Sequence, residues 1–266
     1  MPRVRARVRW AMSSHATFDT QNLARLEALL LAHPIAQNYF QGILYDHHGH
    51  PLTELTIDSG TGHPLRLDTS AIGHLFMIPD GSLVSANRVS ERHGAPGGID
   101  IRYNSVFLVE DEQNSIIVYS REDGPAIWLD ALYVQTMMLA THAPRRLITV
   151  AFGLMAIAAY RLGFQVISLF GAGRGPLTHN DEDALVGYAV WPKFGFDAEV
   201  LPVELDRFPA PALHHAATIQ EVRQAAPGWW EAHGSARAMS FDLRAGSHSW
   251  TILLNYLYNA LQEDGP

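Results

Sequence analysis

The sequence contains no cysteine, so disulfides, thiolate metal sites and cysteine nucleophiles are excluded. Lysine is almost absent too: Lys193 is the one lysine among 19 basic residues, and the formal net charge is -8. Nucleic-acid binding depends on clustered cations facing phosphates, so no nucleic-acid partner is expected. No apolar run approaches the roughly 18 residues that span a bilayer, and no membrane partner is expected. The longest run, "ITVAFGLMAIAAY", is interrupted by Thr149 and Gly153 and flanked by arginines; it reads as a buried helix. The amino terminus, "MPRVRARVRW", alternates arginine with apolar residues and lacks the apolar core of a secretory signal. It reads as a frayed end or an edge strand, and the cytoplasm is the expected location. Two motifs are also missing. "GAGRGP" at 171–176 has no "GK[ST]" of a phosphate-binding loop, and no "GxSxG" elbow of a serine hydrolase occurs.

What is present is a chain of 266 residues, 47% hydrophobic and 17% charged, long enough for one large domain or two small ones with a substantial core. Residues 19–33 carry leucines at 23, 26, 29 and 30, a helical stripe. The turn "DHHGHP" between two apolar stretches predicts a hairpin. His47, His48 and His50 lie in that turn, where successive side chains point in different directions. No carboxylate pair at helical spacing completes a coordination sphere, so the histidines read as solvated and no metal is expected.

Further on, a polar strand from about residue 82 leads to a Gly/Pro-rich loop at 94–98. "SVFLVED", "SIIVYSR" and "AIWLDALYVQ", joined by short turns, predict an antiparallel meander. A long helix is expected from Pro144 to Leu162, ended by Gly163. The continuous apolar run "FQVISLF" reads as a strand buried on both faces. A short helix over 182–191, strands at "FDAEVLPVEL" and "ARAMSFDL", and helices at "TIQEVRQA" and "SHSWTILLNYLYNALQ" complete the pattern. The fold class is therefore α+β, with a mixed, mainly antiparallel sheet flanked by helices. Residues 1–78 form an amino-terminal extension of helix plus hairpin, and 79–266 form the main domain. The extension supplies either an extra layer shaping a binding site or a homodimer contact.

The run "GYAVWPKFGFDA" at 187–198 crowds aromatic bulk beside two glycines and a proline. Pro192 stops the helical hydrogen-bond pattern and Gly195 permits a reversal. Trp191, Phe194 and Phe196 then fill the wedge between helix and sheet, each burying about 150–250 Å². A stacking role for Trp191 against a substrate is the alternative.

Four features in this order resemble the GNAT superfamily of N-acyltransferases, as a divergent member: "LDALYVQ" ending the fourth strand, a helix ending "AAYRLGF", the strand "QVISLF", and "WPKFGFDA". The resemblance spans roughly residues 100–200. It implies an acyl-CoA-dependent N-acyltransferase that moves an acyl group from a coenzyme A thioester, acetyl-CoA or a longer acyl-CoA, to a small-molecule or peptide amine. It also implies that the sheet splays after Asp130, that the backbones of Leu132, Tyr133 and Val134 receive the pantetheine arm, and that Arg145, Arg146, Thr149 and Ala151 surround the pyrophosphate. Asp130 is then the proton acceptor and Tyr188 the proton donor to the thiolate. Arg174, His179 and Trp191 line the acceptor side. Two departures stand out: Thr149 occupies the place of a loop glycine, and Trp191 the place of the family's tyrosine. They favour the alternative, a catalytically inactive GNAT-like binding or immunity-type protein.

Overall fold

Edge strands of this chain alternate buried and exposed positions while the central β-strand at 114–118 is buried throughout, and glycine appears where two backbones must come close. The computed structural model describes residues 15–57, 64–91, 97–123, 126–176 and 185–263, with side chains left out at 120–130. Its strands are β1 (Tyr45–Asp46), β2 (Glu54–Ile57), β3 (Leu65–Asp68), β4 (Leu83–Val89), β5 (Gly98–Asn104), β6 (Asn114–Asp123), β7 (Ala126–Thr136), β8 (Val166–Arg174) and β9 (Ser235–Asp242). Seven of them make one sheet in the order β1-β4-β5-β6-β7-β8-β9, and β2 pairs with β3 apart from it. β1/β4 and β7/β8 run parallel and the other neighbours antiparallel. The class is α+β with a mixed, mainly antiparallel sheet, as expected.

Register separates the two sheet faces. Ile101, Ile116, Val134 and Leu169 share one face and are all buried. Asp100, Ile117, Tyr133 and Ser168 share the other. The first face packs on α1 (Ala24–Ala32, entered from a π turn at Asp19–Leu23), α4 (Leu147–Arg161) and α9 (His248–Glu263) in one continuous core. α4 is apolar almost all round, as a helix buried on every side must be. At Gly153 a Cβ would come within 2.9 Å of Leu30 Cδ1 and 3.1 Å of Leu257 Cδ1, so glycine lets α1 and α9 close on α4 from two directions. The amino-terminal extension is thus built into the main core: Leu23, Leu26 and Leu30 are fully buried in it, and β1 edges the main sheet.

The remaining helices are α2 (Pro34–Tyr39), α3 (Thr69–Leu75), α5 (Gly187–Val190, running into a 3-10 turn at Trp191–Phe194), α6 (Pro202–Arg207), α7 (Ile219–Ala225) and α8 (Trp229–His233). The aromatic run 187–198 is core. Phe152 of α4 touches Trp191, Phe194, Phe196 and Phe241 at ring separations of 5.3–6.0 Å. Gly195 sits at φ 96, and a Cβ there would lie 2.4 Å from the Ser249 carbonyl oxygen. The reversal demands glycine.

Two expectations are corrected. "SVFLVED" is not a strand: Leu108 N–H donates to Ser105 O and Glu112 N–H to Val109 O, closing two turns, and Val106 is 76% exposed. The strand is the preceding "GIDIRYN", where a Cβ at Gly98 would meet Val118 O at 2.3 Å. "FDAEVLPVEL" makes only isolated bridges, Asp197 with Ser240 and Glu199 with Thr218, before Pro202 opens α6. Proline at a first helical position is pre-set for a helix and cannot extend a ladder. The hairpin expected at "DHHGHP" is present: Tyr45 and Pro51 form an antiparallel bridge, with Asp46 N–H donating to His50 O and Leu52 N–H to Leu44 O, and β1 also pairs with β4. The helix expected over 182–191 is described only at Gly187–Val190, and 182–184 lie outside the described residues.

Candidate functional site

β7 and β8 pair over only four positions, from Ala131↔Val166 to Val134↔Leu169. Both strands continue past that point, β7 to Thr136 and β8 to Arg174. The cause lies in what holds each continuation. β7 is drawn toward β6: Met138 N–H donates to Asn114 Oδ1 at 2.8 Å, Leu139 bridges to Leu108, and Ala140 N–H donates to Phe107 O at 2.9 Å. Asn114, fully buried, is fixed by its Nδ2 donating to the Tyr103 hydroxyl at 3.0 Å, which donates to Met77 O at 2.9 Å. Burial pushes the Tyr103 hydroxyl far above the usual tyrosine range, so it remains a neutral donor. β8 stays with β9 through Gly171 and again at Arg174↔Ser235. The two strands are held from opposite sides, and their mutual ladder ends.

Two register shifts mark β7. Tyr119 pairs with Ala131 and Ser120 with Leu129, leaving Asp130 as the extra residue; Ser115 pairs with Thr136 and Ile116 with Val134, leaving Gln135 as another. Bulges of this kind re-aim side chains and often border functional sites. Beside the second bulge, on the sheet face away from the core, lies a polar cluster. Asp100, 3% exposed, accepts from Ser115 Oγ and from Arg102 Nε, each at 2.6 Å, and Ser115 Oγ lies 3.2 Å from Gln135 Oε1. One serine proton cannot serve both oxygens, so the Gln135 amide is flipped from this assignment when both contacts are hydrogen bonds. The chain Asp100–Ser115–Gln135 crosses three strands and ends where the β7/β8 ladder stops. On the same face Tyr119 and Tyr133 stand 6.2 Å apart, and burial, then the nearby Tyr133 and Asp100, raise the Tyr119 hydroxyl.

The residues expected at the site are distributed unevenly. Leu132, Tyr133 and Val134 are paired with β6 on one side and β8 on the other, so the free edge is not theirs. This corrects the expected splay: the ladder persists beyond Asp130 and the edge begins at Gln135. Asp130 occupies a bulge, with its side chain outside the described residues. Arg145 is exposed, and Arg146 precedes α4 in the left-handed region at φ 72, its Nη2 2.6 Å from Glu263 Oε2. Thr149 and Ala151 are buried inside α4 rather than in a loop, so no loop backbone at these positions approaches a ligand.

Tyr188 is fully buried and donates its hydroxyl to Glu231 O at 2.7 Å; burial, then the Glu231 charge, raise it. Its proton is committed to a carbonyl, a packing role. Trp191 is 8% exposed within the aromatic core, which removes the stacking alternative. Arg174 is exposed at the end of β8, and His179 lies outside the described residues. His47, His48 and His50 are exposed on the turn, where Asp46 Oδ1 accepts the amides of His48 and His50.

The Asp100 cluster was not anticipated. The available signal was a carboxylate inside an alternating strand, where aspartate is disfavoured without a partner. Comparison of the chain with protein-family models, with characterised proteins and with solved structures finds no match.

Proposed function

We propose that this protein is an acyl-CoA-dependent N-acyltransferase of GNAT type. The observation that carries the reading is the end of the β7/β8 ladder at Val134 and Leu169, with both strands running on and a fifteen-residue helix following β7. A pantetheine arm carries amides and pairs with a free strand edge as an added strand does; Gln135 and Thr136 are the groups assigned to it. The pyrophosphate meets the positive, amino-terminal end of α4 and the exposed Arg145. An amine attacks the thioester carbonyl carbon, the C–S bond breaks, and the coenzyme leaves as thiolate. The proton lost by the amine passes to a carboxylate. Asp130 in its bulge is assigned that role, with the Asp100–Ser115–Gln135 chain a second route to the same edge. The thiolate takes its proton from solvent, since the Tyr188 hydroxyl is engaged by a carbonyl.

A second reading, a catalytically inactive binding protein on the same scaffold, is favoured by the engagement of Tyr188 by Glu231 and of Arg146 by Glu263. Calorimetric titration with acetyl-CoA and longer acyl-CoAs, followed by thiol release in the presence of an amine panel, separates the two. The chain has no thiol of its own, so release reads without background. Binding and release support the transferase, binding without release supports the inactive scaffold, and no binding removes the transferase.

A further inference from the structure

A cleft of about 460 Å³ opens between α7, the start of α8 and the first half of α9, lined by Gln220, Arg223, Glu231, His248, Thr251 and Asn255 among others. This is within the size range of small-molecule sites, about 300–1,000 Å³. Its α7 wall is anchored on the aromatic run. Gln220, 5% exposed, spends its amide on the carbonyls of Pro192 and Phe196, both at 2.7 Å, and Asp197 Oδ1 accepts its backbone N–H at 3.1 Å. Arg223 Nη1 donates to Pro192 O at 2.8 Å and to Gln220 Oε1 at 3.2 Å. The guanidinium is therefore held from behind by the reversal at 192–196.

Opposite it, Glu231 is incompletely served. Its Oε1 lies 3.6 Å from Arg223 Nε, too long for a hydrogen bond. Its Oε2 is shut away from solvent with no hydrogen-bond partner among the described residues. A buried acceptor left unpaired is costly, and a carboxylate turns easily about its last torsion. A donor brought into the cleft lets it turn and bond. The Nη1 protons of Arg223 are used. Its Nε, which faces Glu231 in an ion pair at 3.6 Å, and its Nη2 have no hydrogen-bond partner among the described residues, leaving donors a carboxylate can take.

We infer that this cleft binds a small zwitterion of the α-amino-acid class. The ligand ammonium takes Glu231 and its carboxylate takes Arg223. Thr251 and Asn255, both exposed on α9, meet the ligand's side chain. One fixed cation against one fixed anion leaves the cleft neutral when His248 is neutral, which disfavours nucleotides and other polyanions. The site is distinct from the strand edge, so its test stands apart from that of acyl transfer.

The test is calorimetric titration of the full chain with each of the common amino acids, with butylamine and butyrate as one-ended controls. At least one amino acid binds in the micromolar-to-millimolar range, and neither control matches it. Glu231→Gln and Arg223→Lys each weaken that binding tenfold or more, with the thermal melt checked for folding. Asn255→Asp, at an exposed helix position facing the ligand's side chain, weakens binding of acidic amino acids relative to neutral ones while Arg223 and its anchors stay intact. The inference is overturned by no binding of any amino acid, by butylamine or butyrate binding as tightly as the zwitterion, or by unchanged affinity in the well-folded Glu231 and Arg223 variants.

Discussion

Replacing Asn114 by alanine tests why β7 leaves β8. The side chain is fully buried, donates to Tyr103, and accepts from Met138 N–H. Alanine leaves the Met138 amide, which is partly buried, without its acceptor and deprives Tyr103 of a donor. The first loss is set at the low end, about 1 kcal/mol, the second contributes about 1 kcal/mol, and the small void adds to both, for about 2–3 kcal/mol in all. For a chain of this length that lowers the melting midpoint by about 5–10 °C. Urea unfolding gives the free energy, and hydrogen exchange resolved to the 135–143 segment gives the local effect. Tyr103→Phe is the comparison: it removes the hydroxyl between Asn114 and Met77 O yet leaves Met138 held by Asn114. Exchange in 135–143 therefore accelerates in Asn114→Ala well beyond its change in Tyr103→Phe. A cost below about 0.5 kcal/mol, or equal local exchange in the two variants, refutes the argument that this side chain draws the strand away.

Other outcomes follow from the same coordinates. Phe152→Ala empties the centre of the aromatic cluster and costs about 3–5 kcal/mol in urea unfolding. Gly195→Ala forces a Cβ to within 2.4 Å of Ser249 O at φ 96; it lowers stability by more than the roughly 1–2 kcal/mol of left-handed strain alone. Tyr160 stacks on His15, donates to its carbonyl, and has its hydroxyl pushed up to about 12 by burial, then by Asp19. The folded state thus holds this proton more tightly than the unfolded chain does. Its contribution is complete below the unfolded value near 10 and is lost as pH rises toward 12. Urea midpoints fall across that window, and Tyr160→Phe flattens the fall. Asp100→Asn removes the charge that Arg102 and Ser115 serve, and lowers acyl transfer if the three-strand chain carries the proton.

Long, strongly patterned elements were legible in the sequence. The apolar helix 147–161, the strand that follows it, the last strand and the last helix stand where composition put them, because burial on all or one side leaves an unmistakable period. Short apolar runs were not. "SVFLVED" and "GIDIRYN" carry similar apolar content, and the choice between them rests on two local turns and on Gly98 approaching β6. The short α3 escaped notice although Asp68 caps it by accepting from Ala71 N–H, since seven residues give too little period to read.

The aromatic run at 187–198 was read correctly as packing because helix-stopping proline and reversing glycine bracket it. The parting of β7 and β8 was readable as an event but not as a position. Its position depends on Asn114, more than twenty residues before Met138, and no local pattern encodes that bond. The same holds for Asp100, whose partners Ser115 and Gln135 meet it only through strand register.

Hydrogen exchange with and without acetyl-CoA tests the central claim most directly. In the free protein the paired segments 131–134 and 166–169 exchange slowly and the amide at the free edge, Gln135, exchanges faster than they do; saturating acetyl-CoA slows Gln135 and the first turn of α4 and leaves the α7–α9 cleft unchanged. Exchange at Gln135 as slow as in 131–134, or no response there to acetyl-CoA, contradicts the account.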